Sequence, residues 1–195
     1  MHPIGILALQ GAFIEHENML CRLGASCVEI RNLKDLDQPI SGLVLPGGES
    51  TVQGKLLKDE GLFTPLKKQI EDGLPVLATC AGLILLAQHL ENDPTTWFGT
   101  LPVTVRRNAY GRQLGSFITT APIEGIGDMT MNFIRAPYVV EADPSVEILS
   151  TVNDHIIAVK YKNQLALSFH PEVGQDTRIH QLFLDMVEKR VAVGS

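Results

Sequence analysis

The sequence predicts a three-layer α/β fold, a mostly parallel central sheet flanked by helices on both faces. Three observations predict it. Short apolar runs of strand length alternate with helically spaced segments through the first half of the chain. The runs are apolar at consecutive positions, as strands covered on both faces are, instead of at every second one. One of them ends in a turn of small residues around a cysteine and leads at once into an apolar helix.

Residues 4–9 are the first run, with only Gly5 inside it, and residues 12–23 carry Phe13, Met19, Leu20 and Leu23 at helical spacing. Gly24 ends that helix. Residues 28–30, 42–45 and 75–79 read as the next three strands, and 63–72 as a helix stopped by Gly73. A further apolar helix spans 83–90. From 101 to 169 the pattern changes to Thr, Val, Tyr and Ile segments broken by Gly and Pro, with strands and hairpins at 103–106, 117–120, 146–152, 156–161 and 165–169. Residues 176–189 form a closing amphipathic helix with Ile179, Leu182, Phe183, Met186 and Val187 on one face.

Composition bounds the rest. A chain of 195 residues is expected to be one domain, 1–195, because domains run to about 100–200 residues. Hydrophobic residues at 45% and charged ones at 19% exclude the disordered, collagen-like and coiled-coil classes. Sixteen Lys plus Arg against 22 Asp plus Glu leave a net charge of −6, so nucleic acid is not an expected partner. The 3 cysteines, Cys21, Cys27 and Cys80, cannot all pair within the chain, which favours a reducing, cytoplasmic setting. The first apolar run lacks the basic flank and cleavage site of a signal peptide, and no apolar stretch reaches the ~18 residues of a membrane span. No Walker loop, dinucleotide fingerprint or zinc spacing is present, so no cofactor and no metal is expected.

Sites of open α/β sheets lie beyond the carboxyl ends of the strands, and three strand endings carry chemistry. Ala78-Thr79-Cys80-Ala81-Gly82 has the small-x-nucleophile-x-small pattern of a sharp strand-to-helix elbow. A thiol at a helix N-terminus has its thiolate favoured, so Cys80 is the reactive candidate, while Cys21 and Cys27 read as structural. Ser168-Phe169-His170-Pro171-Glu172 follows the last strand. In extended chain, side chains two apart point the same way, about 6.5–7 Å apart, so Glu172 is expected to orient His170 as base for the Cys80 thiol. Pro46-Gly47-Gly48-Glu49-Ser50-Thr51 follows residues 42–45, where Ser50 or Thr51 is expected to cap the next helix. That loop is either a plain turn or half of an oxyanion hole, Gly48 N–H acting with Ala81 N–H. His2, His16, His89, His155 and His180 lack such context and receive no role.

Leu7-Ala8-Leu9-Gln10-Gly11, the Pro46 to Thr51 loop, the Cys80 elbow, Arg107-Asn108-Ala109-Tyr110-Gly111-Arg112-Gln113, Phe133-Ile134-Arg135-Ala136-Pro137 and the His170 segment occur in one order along nearly the whole chain. Together they resemble the successive motifs of the glutaminase subunits of pyridoxal 5′-phosphate synthase, a subfamily of the class I glutamine amidotransferases. The resemblance implies the flavodoxin-like amidotransferase fold and hydrolysis of L-glutamine to L-glutamate and ammonia. It also implies passage of the ammonia to a (β/α)8 synthase subunit in a hetero-oligomer that makes vitamin B6, and a glutaminase nearly idle alone. Carried over by position, Cys80 forms a glutamyl thioester and His170 and Glu172 complete the triad. Gly47, Gly48, Glu49, Arg107, Ile134 and Arg135 match glutamine-binding positions, and Gln10 a residue beside the oxyanion hole. Glu49, Arg107 and Arg135 supply both signs of charge that a free amino acid needs.

This chain departs from the subfamily at Ala78, where many relatives have Gly, and at Val52-Gln53, where a second Thr and Met are common. The first is expected to tighten the elbow, the second to touch the partner side or the helix start. Two other classes compete: a cysteine peptidase, deglycase or redox-sensing protein of the same architecture, and a noncatalytic regulatory subunit. Relatives of the first kind usually place His directly after the nucleophile, where this chain has Ala81. Cys80, His170 and Glu172 standing together argue against the second.

Overall fold

The computed structural model describes residues 1–107 and 115–194. In chain order the elements are β1 (Ile4–Leu7), α1 (Phe13–Arg22), β2 (Cys27–Ile30), a 3₁₀ turn (Leu33–Leu36), β3 (Gly42–Leu45), α2 (Ser50–Asp59), α3 (Phe63–Glu71), β4 (Val76–Thr79), α4 (Ala81–Leu86) and β5 (Ala87–Leu90). There follow β6 (Leu101–Arg106), β7 (Ser116–Ile123), β8 (Gly127–Ile134), β9 (Tyr138–Ala142), β10 (Glu147–Val152), β11 (His155–Tyr161), β12 (Gln164–Leu167) and α5 (Arg178–Gly194).

The main sheet runs β2-β1-β3-β4-β12-β11-β9-β6-β5, with β10 paired to β11. The half from β2 to β12 is parallel. Beyond β12 the strands pair antiparallel, except for the parallel β5-β6 pair at the edge, so the sheet is mixed. β1, β3, β4 and β12 are buried at every residue, which is why they carry no alternating pattern. One face packs Leu57 of α2, Leu66 and Ile70 of α3, Leu83 of α4 and Phe98. The other packs Leu20 of α1, Phe183 and Val187 of α5, and Phe133 of the β7-β8 hairpin. Helices thus cover both faces, as the strand pattern predicts.

Several elements differ from expectation. The predicted helix 83–90 stops at Leu86, and residues 87–90 become β5, whose Ala87 pairs with Leu101 and Leu90 with Val105. A continuous apolar run carries no period to separate the two states, and the available sheet edge decides. The sequence predicts a helix after the Pro46 to Thr51 loop without fixing its bounds, because Thr51, Val52 and a central Gly54 weaken the helical propensity of α2. Its N-cap is Glu49 with no side-chain cap bond, so neither Ser50 nor Thr51 caps it. β8 and β9 have no counterpart among the strands predicted within 101–169. α5 begins later and runs further than 176–189, and its buried face includes His180 and Leu184, with Leu182 only half-buried.

Candidate functional site

The carboxyl ends of β1, β3, β4 and β12 lie side by side, and the loops leaving them build one crevice. At β4 the chain reverses through Cys80, whose φ of 52° and ψ of −102° lie in a region that costs a side-chain-bearing residue about 1–3 kcal/mol. The turn is held by Cys80 N–H, which donates to Leu167 C=O at 2.8 Å and ties the elbow to β12. A Cβ at residue 82 would stand 2.3 Å from Leu45 C=O and 3.1 Å from the Ala78 Cβ. Glycine is therefore obligatory two residues after the cysteine, and Ala78 fills the remaining space.

After β12, Ser168 N–H donates to Ile157 C=O and His170 N–H to Asn132 C=O, fixing the strand exit. Val173 N–H then donates to His170 C=O at 3.3 Å, so residues 170–173 form a turn with Pro171 second. His170 and Glu172 meet because the chain bends; the extended geometry expected from the sequence is not what joins them. His170 Nδ1 lies 2.6 Å from Glu172 Oε1. On its other side the imidazole lies over Gly47, where a Cβ would stand 2.4 Å from His170 Cε1.

The β3-α2 loop is tied to the β1-α1 loop. Gly47 C=O accepts Ala12 N–H at 2.9 Å, and a trans peptide then directs Gly48 N–H away from Ala12. Gln10 Oε1 accepts Glu49 N–H at 2.8 Å. Gln53 Nε2 donates to Gln10 C=O at 3.1 Å and Pro46 C=O at 3.2 Å. Gln53 is thus a buried brace between the two loops, not a surface residue on a partner's side. Val52, its neighbour, is exposed.

A cavity of about 390 Å³ lies among these loops. Cys80, Ala81, His170, Gly47, Gly48, Glu49, Arg107, Ile134 and Arg135 all line it. Gln10 and Glu172 stand behind it, Gln10 against the Glu49 backbone and Glu172 beneath the imidazole. Arg107 is steered by Asp93, Oδ2 to Nη1 at 3.4 Å, and by Thr51 Oγ1 at 3.3 Å from Nη2. The Cys80 thiol faces Ile134 C=O at 4.0 Å. Residues 108–113 of the Arg107 motif lie outside the described residues.

Burial works against a charge on His170, but its contacts with Cys80 and Glu172 outweigh that and raise it to about 10. Burial likewise pushes Glu172 up, and its bond to His170, with the nearby His16, carries it below the usual carboxylate range. Cys27, by contrast, is pushed up to about 12, first by burial, which keeps it a thiol.

Sequence reasoning missed the layer behind Glu172. His16, fully buried, lies with Nε2 3.2 Å from Thr79 Oγ1 and 3.5 Å from Glu172 Oε2, and with Nδ1 2.8 Å from His180 Nε2. A signal existed: His16 keeps helical spacing with Met19 and Leu20, and His180 with Phe183 and Leu184, so each histidine sits in an apolar stripe. Asp93 and Gln53 gave no comparable signal.

No group of three or more potential metal-ligating side chains occurs among the described residues, and no described helix is long and apolar enough to cross a membrane.

The SNO glutamine amidotransferase family model matches residues 6–189. A pyridoxal 5′-phosphate synthase subunit PdxT of Desulfitobacterium hafniense is 59% identical over 184 residues, 94% of this chain and 92% of that protein. The protein so named in Methanocorpusculum labreanum is 55% identical over 94% of this chain and 97% of its own. A solved glutamine amidotransferase superposes with a TM-score of 0.90 at 40% identity, over 95% of this chain and 98% of that one. A putative GMP synthase subunit of Thermoplasma acidophilum, 17% identical with a TM-score of 0.72 over 100% of this chain and 98% of its own, shares the fold alone. With the strand order, the elbow and a match across most of its length, the chain belongs to the SNO glutamine amidotransferase family.

Proposed function

We propose that this chain acts as one domain that hydrolyses L-glutamine to L-glutamate and ammonia, and supplies the ammonia to a (β/α)8 subunit of pyridoxal 5′-phosphate synthase. The observation that carries this reading is a single cavity lined by a strained thiol, a carboxylate-held imidazole, and charges of both signs. The relatives named as synthase subunits support a synthase partner, and its (β/α)8 form is what the motif resemblance implies.

The chemistry follows from the geometry. Arg107 and Arg135 suit the substrate's α-carboxylate and Glu49 its α-ammonium group, which leaves the side-chain amide directed at Cys80. His170 takes the thiol proton, and sulfur attacks the amide carbon as the carbonyl π pair moves to oxygen. Gly48 N–H and Ala81 N–H, neither hydrogen-bonded to another described residue, serve the oxyanion. One such donor is worth about 3 kcal/mol of barrier. The tetrahedral adduct collapses, the C–N bond breaks, and His170 returns the proton to nitrogen, releasing ammonia and leaving a glutamyl thioester. Water, deprotonated by the same imidazole, attacks the thioester; glutamate leaves and the thiol regains its proton. Glu172 holds Nδ1 so that Nε2 is the nitrogen that works.

The test is ammonia release from glutamine with and without a pyridoxal 5′-phosphate synthase barrel. Release that rises at least tenfold with the barrel is expected. No release in either condition overturns the reading.

A further inference from the structure

Two histidines unused by this mechanism are buried behind it, on the far side of Glu172 from His170. His16, from α1, and His180, from α5, are both fully buried and joined nitrogen to nitrogen at 2.8 Å. His16 Nε2 faces Glu172 Oε2 at 3.5 Å, while Glu172 Oε1 is taken by His170. Oε2 has no hydrogen-bond partner among the described residues, and neither has His180 Nδ1.

These contacts select one arrangement of protons. If His16 carried its proton on Nδ1, the lone pair of Nε2 would face a carboxylate oxygen, and His180 would bury an unpaired Nδ1–H donor. With the proton on His16 Nε2, that N–H donates to Thr79 Oγ1 and its positive end lies 3.5 Å from Glu172 Oε2, and Nδ1 accepts from His180 Nε2–H. Only acceptors, His180 Nδ1 and Glu172 Oε2, are then left without a hydrogen bond. Bare acceptors are tolerated in interiors better than bare donors. The groups facing His16 are Glu172 and His170 from the loop after β12, Glu15 beside it on α1, and His180 from α5. Burial holds both histidines neutral: it is the largest influence on each, lowering His16 and taking His180 down to about 2.

We infer that His16, with its tautomer fixed by His180, is a positioning residue for the glutaminase reaction: its neutral Nε2–H fixes the free oxygen of Glu172 and thereby the plane in which the carboxylate holds His170. This rests on the reading of His170 as the working base. A neutral donor suits the task, because it orients the carboxylate without a second positive charge that would compete with imidazolium at His170. The third partner, Thr79, is the residue before the nucleophile, so the same imidazole couples the elbow to the base.

The test compares His16→Leu and His16→Gln in the complex with the synthase subunit, alongside the unaltered complex. Glutamine's amide nitrogen sits near the place of Nε2 and keeps a donor there. His16→Leu is expected to lose 10- to 100-fold in kcat with KM for glutamine within about twofold, and to move the alkaline limb of the kcat profile to lower pH. His16→Gln is expected to recover most of both. If the unaltered complex releases no ammonia, the glutaminase reading fails. If it is active and both variants match it in rate and profile, or lose rate equally with an unmoved profile, the positioning role alone is overturned. Should His16→Leu not fold, nitrogen-15 spectra of the unaltered protein decide. Neutral Nε2–H at His16 between pH 6 and 9 is expected, and an imidazolium or an Nδ1–H tautomer there overturns the inference.

Discussion

At the scale of single residues, the site depends on side chains passing very close to backbone. His170 lies against Gly47 so tightly that a Cβ there would reach 2.4 Å from the ring. Gly47→Ala is therefore expected to displace the imidazole and lower kcat by about 100-fold, the scale of loss that an ångström of misplacement produces. Its thermal midpoint should change little, because the loop lies outside the packed layers. Ammonia release and a melting curve check both. Arg107 is held by Asp93 and Thr51. Asp93→Asn removes the charge that aims it, and a rise of about three- to tenfold in KM with kcat nearly unchanged is expected, the pattern of lost ground-state binding. An unchanged KM would remove Arg107 from the substrate-binding set.

At the scale of elements, the elbow is the strained unit. Gly82→Ala would set a Cβ 2.3 Å from Leu45 C=O, a backbone atom of the neighbouring strand that cannot yield cheaply. A loss of about 1–3 kcal/mol in denaturant unfolding, together with lost glutaminase activity, is expected. The elbow was readable in the sequence because its size rule is local: Ala78 and Gly82 flank Cys80 at fixed spacing. β1, β3 and β4 were readable for a similar reason, each being a short, largely apolar run beside a proline. What joins His170 to Glu172 was not readable in kind, since a turn at Pro171 does what extended chain was expected to do. The end of α4 was hidden because Leu83 to Leu86 are all apolar and buried, so only the β6 edge shows where the helix gives way to strand. His16 and His180 meet across 164 residues, and no local pattern announces such a pair.

At the scale of the whole molecule, the buried ionisable groups set how stability follows pH. His180, about 2 when folded against 6.5, and His16, also lowered, favour the folded state fully above pH 6.5 and lose that contribution as pH falls below it. Each proton that the fold excludes costs about 1.4 kcal/mol per pH unit. Glu172, lowered from 4.5, adds to the acid loss as pH passes below that value. His170 acts oppositely: raised to about 10, its contribution is complete below pH 6.5 and lost between there and about 10. Melting temperature should therefore peak near pH 6.5 and fall on both sides, and His170→Asn should flatten the alkaline side and, by taking away the partner that lowers Glu172, lessen the carboxylate's share of the acid loss. A flat curve between pH 5 and 9 would contradict these assignments. The most direct measurement on the central claim is mass-spectrometric mapping of the complex after exposure to a glutamine analogue bearing an electrophile at the side-chain end. The account predicts one adduct, on Cys80, suppressed by excess glutamine, with Cys21 and Cys27 unmodified. A glutamine-protected adduct on another residue, or ammonia release that survives complete blockage of Cys80, would contradict it.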